Sequence, residues 1–180
     1  MFRGFGSLRT GWSWLQKMEI CGDSLLMVKM ILLGVLVLLI AIQFIRQSKN
    51  LGPIPSPADI QVQHPAPPEV SRILETACYD CHSNHTNYPW YAEIQPVGWW
   101  LADHIKEGKA RINFSEFDQL SPKRAARKLQ QCADEVTESD MPLTSYRLIH
   151  PKARLTEAQR KTLADWFDSV HEKIPVEETK

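Results

Sequence analysis

Hydrophobic and polar positions divide the chain into three regimes. From Leu25 to Ile45 the sequence reads LLMVKMILLGVLVLLIAIQFI, and Met30 to Ile42 is an unbroken apolar run. That length matches the ~20 residues needed to cross a hydrocarbon core, so a transmembrane anchor is expected over 25–45. Leu51 to Pro68 then holds Pro53, Pro55, Pro57, Pro65, Pro67 and Pro68, a composition that predicts a stiff extended tether over 46–68 with His64 solvated in it. Beyond it, apolar residues recur at helical spacing, and a domain is expected over 69–175. Val70, Ile73, Leu74 and Ala77 line one face of a first helix that runs into Cys78. Gly98 to Lys106 reads as a second helix, ended by Gly108. Ser121-Pro122 starts a third, which reaches about Glu138 with Leu129, Cys132, Ala133 and Val136 on one face. Thr156 with Gln159 forms a capping-box pattern that opens the last helix, whose apolar face is Leu163, Trp166, Phe167 and Val170. No alternating stretch is long enough for a strand. The expected fold class is all-α: a small helical domain with long loops, preceded by one N-terminal transmembrane helix. Long loops in a small domain call for a ligand or staple to order them.

Charge refines this division. The 180 residues carry 21 basic and 21 acidic side chains. The balance is uneven: residues 1–50 hold six Lys/Arg against Glu19 and Asp23, and residues 51–180 are net −4. No basic stripe interleaved with aromatics is present, so nucleic acid is not an expected partner. The apolar run is followed by Gln43-Phe44-Ile45-Arg46, a poor cleavage site, which favours an uncleaved anchor over a signal peptide. Basic residues before the run weakly place the N-terminus in the cytoplasm. Residues 1–24 show no period and read as a cytoplasmic extension, or as chain upstream of a natural start at Met27 or Met30.

The chemistry sits in Cys78-Tyr79-Asp80-Cys81-His82. Cys-x-x-Cys-His is the attachment pattern for a covalent haem c: two thiols matched in separation to the two porphyrin vinyls, and an adjacent imidazole placed under the iron. In a chain of this composition it arises by chance in roughly 0.003 of cases, so it is specific. A structural zinc site needs four ligands, usually in two pairs, and no second Cys-x-x-Cys is present. A thioredoxin-like pair needs a βαβ context that is missing. A Cys78–Cys81 disulfide closes a very small loop. Cofactor-binding residues are therefore Cys78, Cys81 and His82, with His82 the proximal iron ligand.

The sixth iron position decides between electron transfer and ligand chemistry. Met141 is the sole methionine after position 30 and lies 59 residues beyond His82, enough chain to present a thioether from the other face of the porphyrin. It stands between two helices, flanked by Asp140 and Pro142, a poor setting for a core methionine. His104 is the best rival ligand, whereas His85 is too close to His82 in sequence and His150 suits a structural role. Arg111 or Arg147 is a candidate partner for a propionate. Cys132, on an apolar helix face, reads as a buried inert thiol, separated from Cys21 by the membrane segment.

The stretches CYDCHSNHTNYPWYAEIQPVGWWLADHIKEGKARINFSEF and MPLTSYRLIHPKARLTEAQRKTLADW resemble the bacterial haem-binding domain family, whose members look like a short anchor followed by one cytochrome-c-like domain. The resemblance runs from about Asn50 to Phe167 and includes the aromatic loop, Asn113-Phe114-Ser115, Met141-Pro142 and His150-Pro151. The first 26 residues depart from its usual pattern. It implies covalent haem at Cys78 and Cys81 and iron at His82, and it supports Met141. The helix before the motif and the C-terminal helix are expected to pack together, with Trp and Tyr side chains of the aromatic loop lining the haem. The expected function is single-electron transfer at the outer face of the cytoplasmic membrane, on the periplasmic side, with redox proteins as partners. The rival reading is a peroxidase-like enzyme or a gas or redox sensor with a labile sixth ligand; a carrier is favoured over an enzyme.

Overall fold

A computed structural model describes residues 13–175, with side chains from Ser24 onward. Residues 1–12, half of the expected N-terminal extension, and the Cys21 side chain lie outside the described residues. The chain divides into two compact units, Met1–Arg46 and Gln47–Lys180.

The first unit contains helix α1, Ser13–Ile42. Its Ser24–Ile42 segment has 19 residues and a mean hydropathy of 3.0, and none of it is buried. By length and composition it is sufficient to cross a membrane. The regular helix stops at Ile42, where Gln43 folds back and donates its side-chain amide to Leu39 O.

The second unit is all-α. It contains α2 (Ile60–Gln63), α3 (Pro68–Ala77), α4 (Tyr79–His82), α5 (Val97–Arg111), α6 (Pro122–Thr137), α7 (Thr144–Ile149) and α8 (Glu157–His171). Three 3-10 turns, Trp90–Glu93, Phe114–Gln119 and Pro151–Ala153, connect them. Among the described residues there is no strand, only an isolated antiparallel bridge between Leu51 and His85. Helices α6 and α8 form the main pair, and α3 also packs on α8, as expected for the helix preceding the motif. Thr156 Oγ1 accepts from Gln159 N and Gln159 Oε1 accepts from Thr156 N, so the capping box forms and fixes the start of α8. The core joins Val70 and Leu74 of α3, Leu129 of α6, and Leu163, Phe167 and Val170 of α8. Phe114 stacks between Tyr79 and Phe167, with centroids 5.7 and 6.0 Å away.

Three expectations are corrected. The proline-rich segment is no free tether over 46–68. Thr86 N donates to Asn50 O and Gly52 N to Asn84 O. Asp59 caps α2 by accepting from Gln61 N, and Ile60 is fully buried. Prolines forbid a long helix there, but they do not prevent a short capped turn from inserting one isoleucine. His64 is accordingly half-buried, edge-on to Phe117 at 6.0 Å, and its burial holds the imidazole below its usual pKa. Second, α5 does not end at Gly108 but runs on to Arg111. Third, the stretch expected as loop between Glu138 and Thr156, which carries Met141-Pro142, contains α7, a helix too short to show a period and with no fully buried residue.

Candidate functional site

Cys78 is a joint. Its N–H donates to Leu74 O and closes α3, while its carbonyl accepts from His82 N (3.0 Å) and opens α4. With φ −124° and ψ −44°, it turns the chain between the two helices. This turn sets Cys78, Cys81 and His82 on the wall of one cleft. The intervening residues are held elsewhere. Tyr79 OH donates to Asp59 Oδ1 (2.8 Å) and accepts from Gln61 Nε2 (2.8 Å). Asp80 Oδ2 accepts from Tyr146 OH (2.6 Å), and Oδ1 accepts from Asn87 N (3.0 Å). Burial pushes the Tyr79 and Tyr146 hydroxyls well above their usual pKa, with Asp80 adding to the effect on Tyr146, so both act as neutral donors.

Helix α5 crosses directly over the motif at Gly108. A Cβ at that position would sit 2.7 Å from Cys81 O, so only glycine allows the approach. The crossing brings the end of α5 to His82, whose Nδ1 lies 3.1 Å from Ile112 O. A carbonyl only accepts, so Nδ1 carries the proton and Nε2 keeps its lone pair. Burial lowers the His82 pKa and favours the neutral ring. Burial also pushes Cys78 up to about 12 and Cys81 to about 11, so both are protonated thiols at neutral pH. Neither is in a disulfide.

The cleft has a volume of about 610 Å³, within the ~300–1,000 Å³ typical of small-molecule sites. Its apolar walls come from Ile112, Phe114, Val136, Leu163 and Phe167. Met141 is on the same wall set, half-buried and packed against the core. Its N–H donates to Glu135 O and its carbonyl accepts from Arg160 Nη1 (2.8 Å). His104 also reaches the cleft, with its Nδ1 2.8 Å from Trp100 O and its ring tilted against Trp100 at 4.1 Å. His85 and His150 are held away from the cleft lining: His85 Nδ1 is 3.0 Å from Gly52 O, and His150 stacks on Tyr146 at 3.9 Å. Arg111 lines the cleft, whereas Arg147 does not and donates to Thr144 Oγ1. Cys132 lines it too, with its thiol raised to about 12 by burial.

The aromatic loop is corrected. Tyr88, Trp90 and Tyr91 are not on the cleft wall, and Trp90 is 76% exposed. Tyr88 instead accepts from Asn50 N at 2.7 Å and serves to dock the N-terminal segment. The aromatic walls are Phe114, Phe167 and Tyr146. The available signal for Phe114 was the Asn113-Phe114-Ser115 segment, where Asn113 caps the turn by accepting from Ser115 N.

Among the described residues no group of three or more His, Cys, Asp or Glu side chains is arranged to hold a bare metal ion. Two thiols one helical turn apart, a neutral imidazole with a free Nε2 and a thioether, all around one apolar cleft, form a donor set that fits an iron porphyrin. An all-α domain organised in this way defines a haem-binding protein. Residues 37–169 match the model of the haem-binding domain family, and the chain belongs to that family. No match exists among curated proteins or among solved structures.

Proposed function

We propose that the chain is a membrane-anchored mono-haem c-type cytochrome that carries single electrons at the outer face of the cytoplasmic membrane. The observation that carries this reading is the convergence of Cys78, Cys81, His82 and Met141 on one cleft. Cys78 and Cys81 would hold the porphyrin through two thioether bonds, formed by adding their thiols to its vinyl groups. His82 Nε2 and the Met141 thioether would hold the iron. Bound there, haem supplies a one-electron couple at iron. The Ile112 carbonyl orients His82 and raises its basicity as a ligand. Phe114 and Phe167 would exclude water from the porphyrin face, and Arg111 would pair with a propionate. The 19-residue apolar segment supports a single-pass anchor. Covalent haem attachment outside the cytoplasm supports an extracytoplasmic domain, and the partners are redox proteins.

The test is made on the full chain purified with its haem. Haem stain that stays with the denatured wild-type chain on a gel, and is lost from a Cys78→Ala/Cys81→Ala variant, is expected; free haem released on denaturation overturns covalent attachment. The ferrous wild type should be low-spin and indifferent to carbon monoxide, and Met141→Ala should bind it and lose the sulfur–iron charge-transfer band. A high-spin wild type that binds carbon monoxide readily moves the function to gas sensing or peroxidase-like chemistry.

A further inference from the structure

We propose that Arg160 is the positioning residue for the Met141 thioether; this rests on the reading of Met141 as an axial ligand. Met141 sits on a loop that leaves α6 abruptly. Ser139 has φ 71°, in the left-handed region that non-glycine residues rarely adopt. Asp140 N and Met141 N both donate to Glu135 O, which anchors the loop from its amide side. The carbonyl side is anchored from a different helix. Arg160 Nη1 donates to Met141 O at 2.8 Å and to Val136 O at 3.1 Å. One guanidinium thus ties the last turn of α6 to the methionine residue itself. Val136 and Met141 both line the haem cleft, so the two carbonyls belong to residues that define its wall.

Arg160 is well placed to act as a fixed post. It lies in the first turn of α8. One turn on, Leu163 is fully buried in the core, and Phe167 follows at 1% exposure. The helix cannot shift without opening that core, so the guanidinium is held relative to α6. Desolvation lowers the Arg160 pKa, yet a guanidinium stays charged in a protein. Hydrogen bonds from a charged donor are stronger than neutral ones. Loss of the pair is worth about a tenfold or greater shift in the equilibrium between a held and a released Met141 loop.

The experiment compares Arg160→Gln, Arg160→Lys, Thr156→Ala and Met141→Ala in the haem-loaded full chain. Readouts are carbon monoxide association with the ferrous protein, the sulfur–iron charge-transfer band and the reduction potential. Arg160→Gln is expected to raise the carbon monoxide association rate about tenfold, weaken the band and lower the potential. Arg160→Lys, which keeps the charge but presents one compact ammonium, recovers part of each effect. Thr156→Ala weakens the same helix start without touching Met141 and leaves all three readouts at wild-type values. Unchanged carbon monoxide binding in Arg160→Gln, or an equal increase in Thr156→Ala, overturns the proposal. If Arg160→Gln does not accumulate as folded haem protein, Arg160→Lys decides by the same readouts: wild-type values there overturn it. Met141→Ala separates the two layers. If it fails to open the iron, the ligand reading is wrong; if it opens the iron while the Arg160 variants do not, the positioning role alone is wrong.

Discussion

Gly108→Ala sets two effects of opposite sign against each other, and the structure decides between them. Gly108 lies inside α5, and in an open helical site alanine is favoured over glycine by about 1 kcal/mol. Here the new methyl meets backbone: Cys81 O at 2.7 Å and Cys81 C at 3.2 Å. Neither atom belongs to a flexible side chain, so α4 and α5 must separate by several tenths of an ångström. Forcing extra volume into such a contact costs about 1–3 kcal/mol, so the net change is a loss of up to about 2 kcal/mol. For a domain of this size that corresponds to a Tm lower by up to about 7 °C. The displacement also reaches the site. Gly108 O accepts from Ile112 N, and Ile112 O faces His82 Nδ1, so moving Gly108 disturbs the imidazole. Thermal melts followed by circular dichroism, with haem content measured by haemochrome, read both consequences. A Gly108→Ala protein that melts at or above the wild-type temperature with full haem content would refute the close approach of α5 to the motif.

Two further outcomes are expected. Thr156→Ala removes the hydroxyl that accepts from Gln159 N and should lower stability by about 1 kcal/mol in chemical denaturation; an unchanged midpoint would show the capping box to be idle. With its thiol raised to about 12, Cys132 should resist iodoacetamide in the native chain at pH 8, because the thiolate fraction is ~10⁻⁴ there, and should react more readily as the pH climbs. Native labelling at the rate of the denatured chain would contradict its burial.

Local features of this protein were readable from the sequence because their causes are local. The apolar faces of α3, α6 and α8 repeat at helical spacing, and the starts of α6 and α8 carry Ser121-Pro122 and the Thr156–Gln159 box, so the pattern places these elements to within one or two residues. The haem motif spans five consecutive residues and needs no partner to be recognised. Readings failed where distant segments supplied the missing interaction. Gly108 looked like a helix stop, because a glycine in a solvated helix is one; here its missing Cβ makes room for Cys81 O. The prolines before Pro68 looked like a tether, because the bonds that dock them come from residues 84–86. The aromatic loop looked like a haem lining, yet its tyrosine hydroxyls are engaged by Asn50 and His150.

The helical class, the apolar segment and the place of the haem motif follow from periodicity, capping and a contiguous motif, which are properties of neighbours along the chain. Which walls close around that motif depends on packing between segments distant in the chain. Pairing α6 with α8 fixes the loop that carries Met141, and Arg160 reaches it from a helix whose own register is set by a buried core. No local pattern encodes that contact, because its strength depends on two backbone carbonyls brought together only when the core packs.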